Sequence, residues 1–330
     1  MLMPAVYLPV MPVFTKHREG WWNSSSTFKY PYVFASFLTH KSFKNLRSEF
    51  SLDSDVVLYS DSGGYAVFSR DISIDPFELA EWYNTSGVDL AMHLDFPPYT
   101  DARKSNVVEF DTRLELTARA SRVLLDRVKS TKLYATIHGN TEKHYDIWRQ
   151  TMQLVSDDWF GWAVGVAPIN NPDAVLRLIR YLESFKNDKP VHFFETGDAV
   201  CFLLIARYAN KRGLLVTADS TYASTAAQSG QLYMTIFGKL VTIGPRQDDS
   251  FKTSLSCECP VCKRYGSNSV RESVELLTLH NTFMLIWRYK FLNAISTERV
   301  VAFKQLLPEA IPYIRQLDTI LERRGLLSYV

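Results

Sequence analysis

The chain has 330 residues, 46% of them apolar, with 37 Lys+Arg against 35 Asp+Glu and a formal net charge of +2. An apolar content of this size, with only fourteen Gly and fourteen Pro, excludes disordered, collagen-like and low-complexity chains. No apolar run reaches the roughly 18 residues of a membrane span, and the length allows about two domains, or one large α/β barrel with an appendage.

In chain order, the first segment, MLMPAVYLPVMPVF, is apolar but carries three prolines and no basic n-region, so it reads poorly as a signal peptide. A cytoplasmic chain with reduced thiols is the expectation. Short apolar runs then predict strands at Val56–Tyr59, Val88–Leu94, Leu133–Ile137, Trp162–Val166, Val191–Phe194, Leu214–Thr217 and Leu240–Ile243. Helical patterns lie between them. Pro76–Tyr83 follows Asp75, an N-cap with proline at N1. Thr112–Val128, Glu142–Val155, Pro172–Phe185 and Ala199–Lys211 come next, the third announced by Asn171. Strand and helix alternate, which predicts parallel strands with right-handed crossovers. Such units close most naturally into a (β/α)8 TIM barrel. A doubly wound sheet is the alternative, but it usually places its ligand on a Gly-rich phosphate turn, and no such string is present.

Four of these strands end in polar residues. Active sites of parallel barrels sit at those C-terminal ends. VVLYSDSGGYAVFS brings Asp61, with two glycines that let a ligand approach the backbone and Tyr65 to lie on a planar group. LAMHLDFPPY ends at Asp95, YATIHGN at His138, and LLVTADSTYAS at Asp219. Taken singly, each reads first as a turn, cap or core residue. Jointly, three carboxylates at one mouth suit covalent chemistry at a glycosidic carbon, with one left to bind a base edge.

Past residue 245 the pattern changes. A polar stretch leads to SCECPVCKRYG, and helical patterns follow at about Val270–Leu292 and Thr297–Arg323. Residues 251–330 hold 11 Lys+Arg and 7 Asp+Glu, net +4, against −2 for the rest. This end is the better place for a polyanion, although a solvated helical surface explains the charge almost as well. Three of the four cysteines, Cys257, Cys259 and Cys262, lie within six residues, and His280 follows on a helix. Three thiolates and an imidazole make a closed, structural Zn2+ site. Cys201 sits in an apolar run and reads as a core thiol. The division expected is 1–245 for the main part of the catalytic barrel and 246–330 for the zinc-binding module and C-terminal helices completing it.

The strings DSGGYAVFS (61–69), GVDLAMHLDFPP (87–98), HGN (138–140), GWAVGV (161–166) and ADST (218–221), with C-x-C-P-x-C at 257–262 and L-H-N at 279–281, resemble in order the motifs of the tRNA-guanine transglycosylases. The resemblance implies a transferase that exchanges guanine in a polynucleotide for a 7-deazaguanine through a covalent glycosyl-enzyme. It puts Asp219 at the nucleophile and Asp61 at the general acid/base. Asp95, Tyr65, His138, Gly161 and Phe194 fall at base-binding positions, with His138 where the family usually has glutamine and Phe194 where it more often has methionine. Two departures bear on the polymer. Ser220–Gly230 contains no arginine or lysine where tRNA-acting members carry arginines, and the closing glutamate of the glycine-rich string reads Val166. These features resemble the DNA-modifying branch, DpdA, which inserts a base such as preQ0 into DNA. DNA is therefore the substrate expected and tRNA the alternative. A catalytically inactive, zinc-containing nucleic-acid-binding barrel is a further one. The resemblance also allows for helper proteins that open DNA and for a homodimer.

Overall fold

The computed structural model describes residues 5–12, 20–64, 67, 72–99, 106–165, 170–235, 240–242, 257–296 and 310–323. Its centre is a sheet of eight parallel strands: β1 (Ala5–Pro9), β2 (Tyr32–Ser36), β3 (Val57–Asp61), β4 (Leu90–Met92), β5 (Lys132–Ile137), β6 (Gly161–Val164), β7 (Val191–Phe193) and β8 (Val216–Ser220). The order β1-β8-β7-β6-β5-β4-β3-β2 rolls the sheet into a nearly closed barrel. At the seam Val10 bridges Phe34 in parallel, and the Met11 amide donates to the Phe34 carbonyl at 2.7 Å.

Alternation along the strands separates two cores. Val6, Leu8, Phe34, Tyr59, Leu90, Met92, Tyr134 and Ala163 fill the barrel interior. The residues between them, such as Tyr7, Val33, Leu58 and Ala91, pack outward against the helices. Registered partners on parallel strands share a face. Asp61 pairs with Ser36 two residues beyond Phe34–Tyr59, and Asp219 pairs with Leu8, so both aspartates point inward at the C-terminal rim.

The outer helices are α1 (Phe37–His40), α2 (Leu46–Glu49), α3 (Pro76–Thr85), α4 (Phe110–Arg127), α5 (Glu142–Val155), α6 (Pro172–Ser184) and α7 (Ala199–Arg212). Side-chain caps set many of their starts. Asp75 accepts from the Phe77 amide, Thr141 from His144, Asn171 from Asp173, and Asp198 from Val200 and Cys201. The short α8 (Tyr222–Gln228) follows β8. A separate antiparallel ribbon joins β9 (Gln231–Tyr233) to β10 (Leu240–Thr242). Then come α9 (Pro260–Tyr265), α10 (Ser267–Glu272), α11 (Val274–Ser296) and α12 (Ala310–Arg323). The long α11 clasps the barrel. Asn293 donates to the Ala5 carbonyl at 2.6 Å and accepts from the Ala5 amide at 3.2 Å, and the Tyr289 hydroxyl donates to the Gly197 carbonyl at 2.8 Å. Among the described residues no helix is long and apolar enough to cross a membrane.

Three expectations change. The apolar N-terminal segment supplies β1, and β2 also lies where no strand is predicted from the sequence. Leu240–Ile243 does not join the barrel: its described part pairs antiparallel with β9, because so short a connection makes a hairpin and not a parallel crossover. The helix expected over 270–292 breaks at Ser273, which is extended (φ −112°, ψ 118°) and whose hydroxyl accepts from the Leu276 amide at 3.2 Å. Of the last helix expected, 297–309 lies outside the described residues.

Candidate active site and metal centre

Asp61 ends β3 and turns into the mouth. Its Oδ1 is buried and meets no hydrogen-bond partner among the described residues. Burial raises its pKa to about 7, with the charges of Asp219 and Asp95 adding, while Ser36 and the Gly63 amide pull it down. A carboxyl poised there holds or releases a proton near neutrality.

Asp95 lies just past β4 and is buried. His138 Nε2 stands 2.6 Å from its Oδ2, and the Ser62 hydroxyl donates to Oδ1 at 3.4 Å. The imidazole is fixed on every side. Trp148 and Tyr99 meet it edge-on at 5.0 and 5.9 Å. The Tyr99 hydroxyl donates to the Gly139 carbonyl at 2.7 Å and accepts from its amide at 2.6 Å, which pins the turn after His138. His138 Nδ1 is buried without a hydrogen-bond partner among the described residues and packs against Gly165, where any Cβ would overlap it. At Gly64 a Cβ would overlap the Asp95 carbonyl. Two glycines thus let two turns close on the Asp95–His138 pair.

Asp219, on β8, is buried on the opposite wall. The Glu195 amide donates to its Oδ1 at 2.9 Å, and the Thr196 amide to its backbone carbonyl at 2.9 Å. His192 Nε2 lies 3.2 Å from the same Oδ1, in ion-pair reach but off line for a hydrogen bond. That ring is fully buried, bonded through Nδ1 to Thr217 Oγ1 at 2.9 Å, and stacked on Phe34 at 5.4 Å. Phe194 at the end of β7 meets it edge-on at 4.9 Å. Glu195 brings a fourth carboxyl. Burial raises its pKa to about 8, and Asp219 and Asp61 push the same way.

The fold therefore brings Asp61, Asp95, His138, Phe194 and Asp219 to one rim. Gly161 is not with them. It opens β6 at the opposite end of the barrel, against the Tyr134 ring and the Pro190 carbonyl, and the glycine at the rim is Gly165. Gly161 starts the strand and Gly165 lies just past its end, so only the second of these glycines reaches the pocket. Tyr65 lies outside the described residues. Sequence reasoning missed His192, Gly165 and Glu195. The signal for Glu195 was available: an acid just beyond the end of a barrel strand, before Thr-Gly.

Cys257, Cys259, Cys262 and His280 form a second cluster, with ligand atoms all within 4.8 Å of one another. His280 Nδ1 is 3.2 Å from Cys259 Sγ and 3.4 Å from Cys262 Sγ. A tetrahedral zinc with Zn–S near 2.3 Å and Zn–N near 2.0 Å spaces its ligands by about 3.5–3.8 Å, so small adjustments seat the ion. His280 Nε2 donates to the Tyr233 carbonyl at 3.0 Å, which leaves Nδ1 facing the thiols. Three soft sulfurs and a nitrogen, mostly buried, can bind a metal ion and fit structural zinc.

Residues 40–310 match the family described as TGT: Queuine tRNA-ribosyltransferase. Among curated relatives, a tRNA-guanine(15) transglycosylase of Pyrococcus abyssi is 26% identical over 250 residues, covering 71% of this chain and 39% of the relative. Its namesake in Pyrococcus furiosus is 23% identical over 303 residues, covering 82% and 48%. That of Methanocaldococcus jannaschii is 26% identical over 297 residues, covering 82% and 44%. The chain thus spans less than half the length of these three relatives. With the match running through most of the barrel and across the Cys3His cluster, the chain belongs to the TGT, or queuine tRNA-ribosyltransferase, family.

Proposed function

We propose that this chain is a pentosyltransferase that exchanges a guanine in a polynucleotide for another base, a 7-deazaguanine being the incoming base. One observation carries the reading: a barrel mouth that holds Asp219 in an amide cradle opposite Asp61, a carboxyl with its pKa near 7. In this reading Asp219 attacks C1′ as its bond to guanine breaks, and a glycosyl ester forms. Asp61 gives its proton to the departing purine and takes one from the incoming base. Asp95 accepts from the purine N–H edge, His138 orients Asp95, and Phe194 lines the pocket. Tyr65 keeps its proposed stacking role, and Gly165 replaces Gly161 as the glycine wall. Cys257, Cys259, Cys262 and His280 would hold a structural zinc that ties the start of α9 to α11. The division at residue 245 into barrel body and zinc-bearing end is part of the same reading.

The polymer proposed first is tRNA, because the relatives are named for it. This reverses the order drawn from the sequence. DNA stays as a second reading on one observation: α8 and its C-cap, beside the proposed nucleophile, expose Thr225, Gln228 and Ser229 and no cation. Incubation with radiolabelled guanine and either bulk tRNA or duplex DNA separates the two. Label in tRNA alone sinks the DNA reading, and label in DNA alone sinks the tRNA reading. Asp219→Ala should abolish both exchange and the covalent adduct, and an adduct that survives rejects Asp219 as nucleophile. Binding without exchange in the unaltered protein would leave an inactive nucleic-acid-binding barrel.

A further inference from the structure

The roles above leave Glu195 without a task, although its place is unusual. Its backbone is left-handed at φ +51°, a region that disfavours any side chain. The turn this creates aims the Glu195 amide at Asp219 Oδ1 at 2.9 Å and the next amide at the Asp219 carbonyl. The carboxyl bonds with Thr221, at the start of α8. The carboxylates around it add to the effect of its burial, and the nearby imidazole is turned to Asp219. Asp219 faces it from β8 and Asp61 from β3, Tyr222 feels its charge from α8, and His192 on β7 lies against Asp219. Among the described residues Glu195 has no ion-pair partner. By contrast, Asp95 and Asp219 each have a buried histidine.

We propose that Glu195 is a positioning residue for the nucleophile: its amide holds the Asp219 carboxylate while its own carboxyl stays protonated, leaving Asp219 the single anion on that side of the sugar. The proposal rests on the base-exchange reading. An Asp219 oxygen forms its bond to C1′, the C1′–N9 bond breaks with its electron pair going to the purine, and the Asp61 proton goes to a purine nitrogen. Glu195 keeps its proton throughout. Once ionised, it would set a second negative charge beside Asp219 and repel both the departing purine and the phosphodiester chain. Burial and the two facing carboxylates raise its pKa to about 8, so the neutral form prevails at neutral pH.

The test follows guanine exchange against pH in the unaltered protein and in Glu195→Gln, with infrared titration of protonated carboxyls alongside. Well above the two pKa values, a rate that needs both protons falls about a hundredfold per pH unit, and a rate that needs only the Asp61 proton falls about tenfold. The unaltered protein should show the steeper limb and Glu195→Gln the shallower one. The carboxyl band lost as pH rises through about 8 should be missing from Glu195→Gln and kept in Asp61→Asn. Limbs of equal steepness, or a band that persists in Glu195→Gln, overturn the proposal. An unaltered protein that exchanges no base at any pH refutes the base-exchange reading instead, and the infrared band still decides whether Glu195 holds its proton.

Discussion

Replacing Asp61 by Asn should stabilise the protein at neutral pH while removing its chemistry. In the fold the pKa of this carboxyl is raised to about 7, chiefly by burial and then by Asp219 and Asp95, from an ordinary value of 3.8. Between those values the folded chain holds a proton that the unfolded chain has released. The stability linked to that proton is fully present below the unfolded pKa and is lost as pH rises through the folded one. A displacement of about three pH units at about 1.4 kcal/mol each sets a ceiling of about 4 kcal/mol. Partial solvent contact at the mouth reduces the expected gain to roughly 1–3 kcal/mol. Urea unfolding of both proteins, at about pH 4 and about pH 8, measures it. The Asn variant should gain stability at the higher pH relative to the lower, since any offset from the amide itself does not depend on pH. Guanine exchange should fall by about 10²–10⁴-fold, the usual contribution of a general acid. A stability difference that stays constant across this pH range would refute the claim that the fold disfavours the ionised carboxylate.

Gly165→Ala should force the His138 ring off Asp95. A loss of about 1–3 kcal/mol in the unfolding free energy and weaker guanine binding by calorimetry are expected; unchanged values for both would show that the ring has room to move. Metal analysis should give about one zinc per chain, and Cys259→Ser should lower the unfolding midpoint more than it alters the pH profile of exchange. A midpoint unmoved by chelator would count against a closed structural site.

Much of this site was legible because its elements are local. Thr141 and Glu142 mark the start of α5, and the pattern predicts its end at Val155, where the structure ends it. Cys257, Cys259 and Cys262 announce a metal cluster by spacing alone, and Asp61 and Asp219 sit at strand ends that their own apolar runs define. The failures are non-local. β1 becomes a strand only because β8 pairs with it, and nothing in its proline-punctuated sequence says so. Gly161 and Gly165 stand in one short string, and only the register of β6 against β5 shows which of them reaches the rim. His192 looks like any residue in an apolar strand until its parity carries it to Asp219. For Glu195 the place past a strand end was legible, but the left-handed backbone that aims its amide was not, since it breaks the local preference on which a sequence reading relies.

The clasp between Asn293 and Ala5 joins groups 288 residues apart in sequence. During synthesis β1 leaves the ribosome long before β8, with which it pairs along its whole length, and longer still before α11. Asp219 sits on β8, the strand that pairs with β1, so no nascent chain that stops before β8 contains a formed mouth. Contacts of such long range fold slowly and leave strand edges exposed meanwhile. A chain interrupted before α11 would then be a substrate for chaperones and proteases, not a partly active enzyme. In the base-exchange reading, activity would then belong only to chains whose synthesis has passed the clasp.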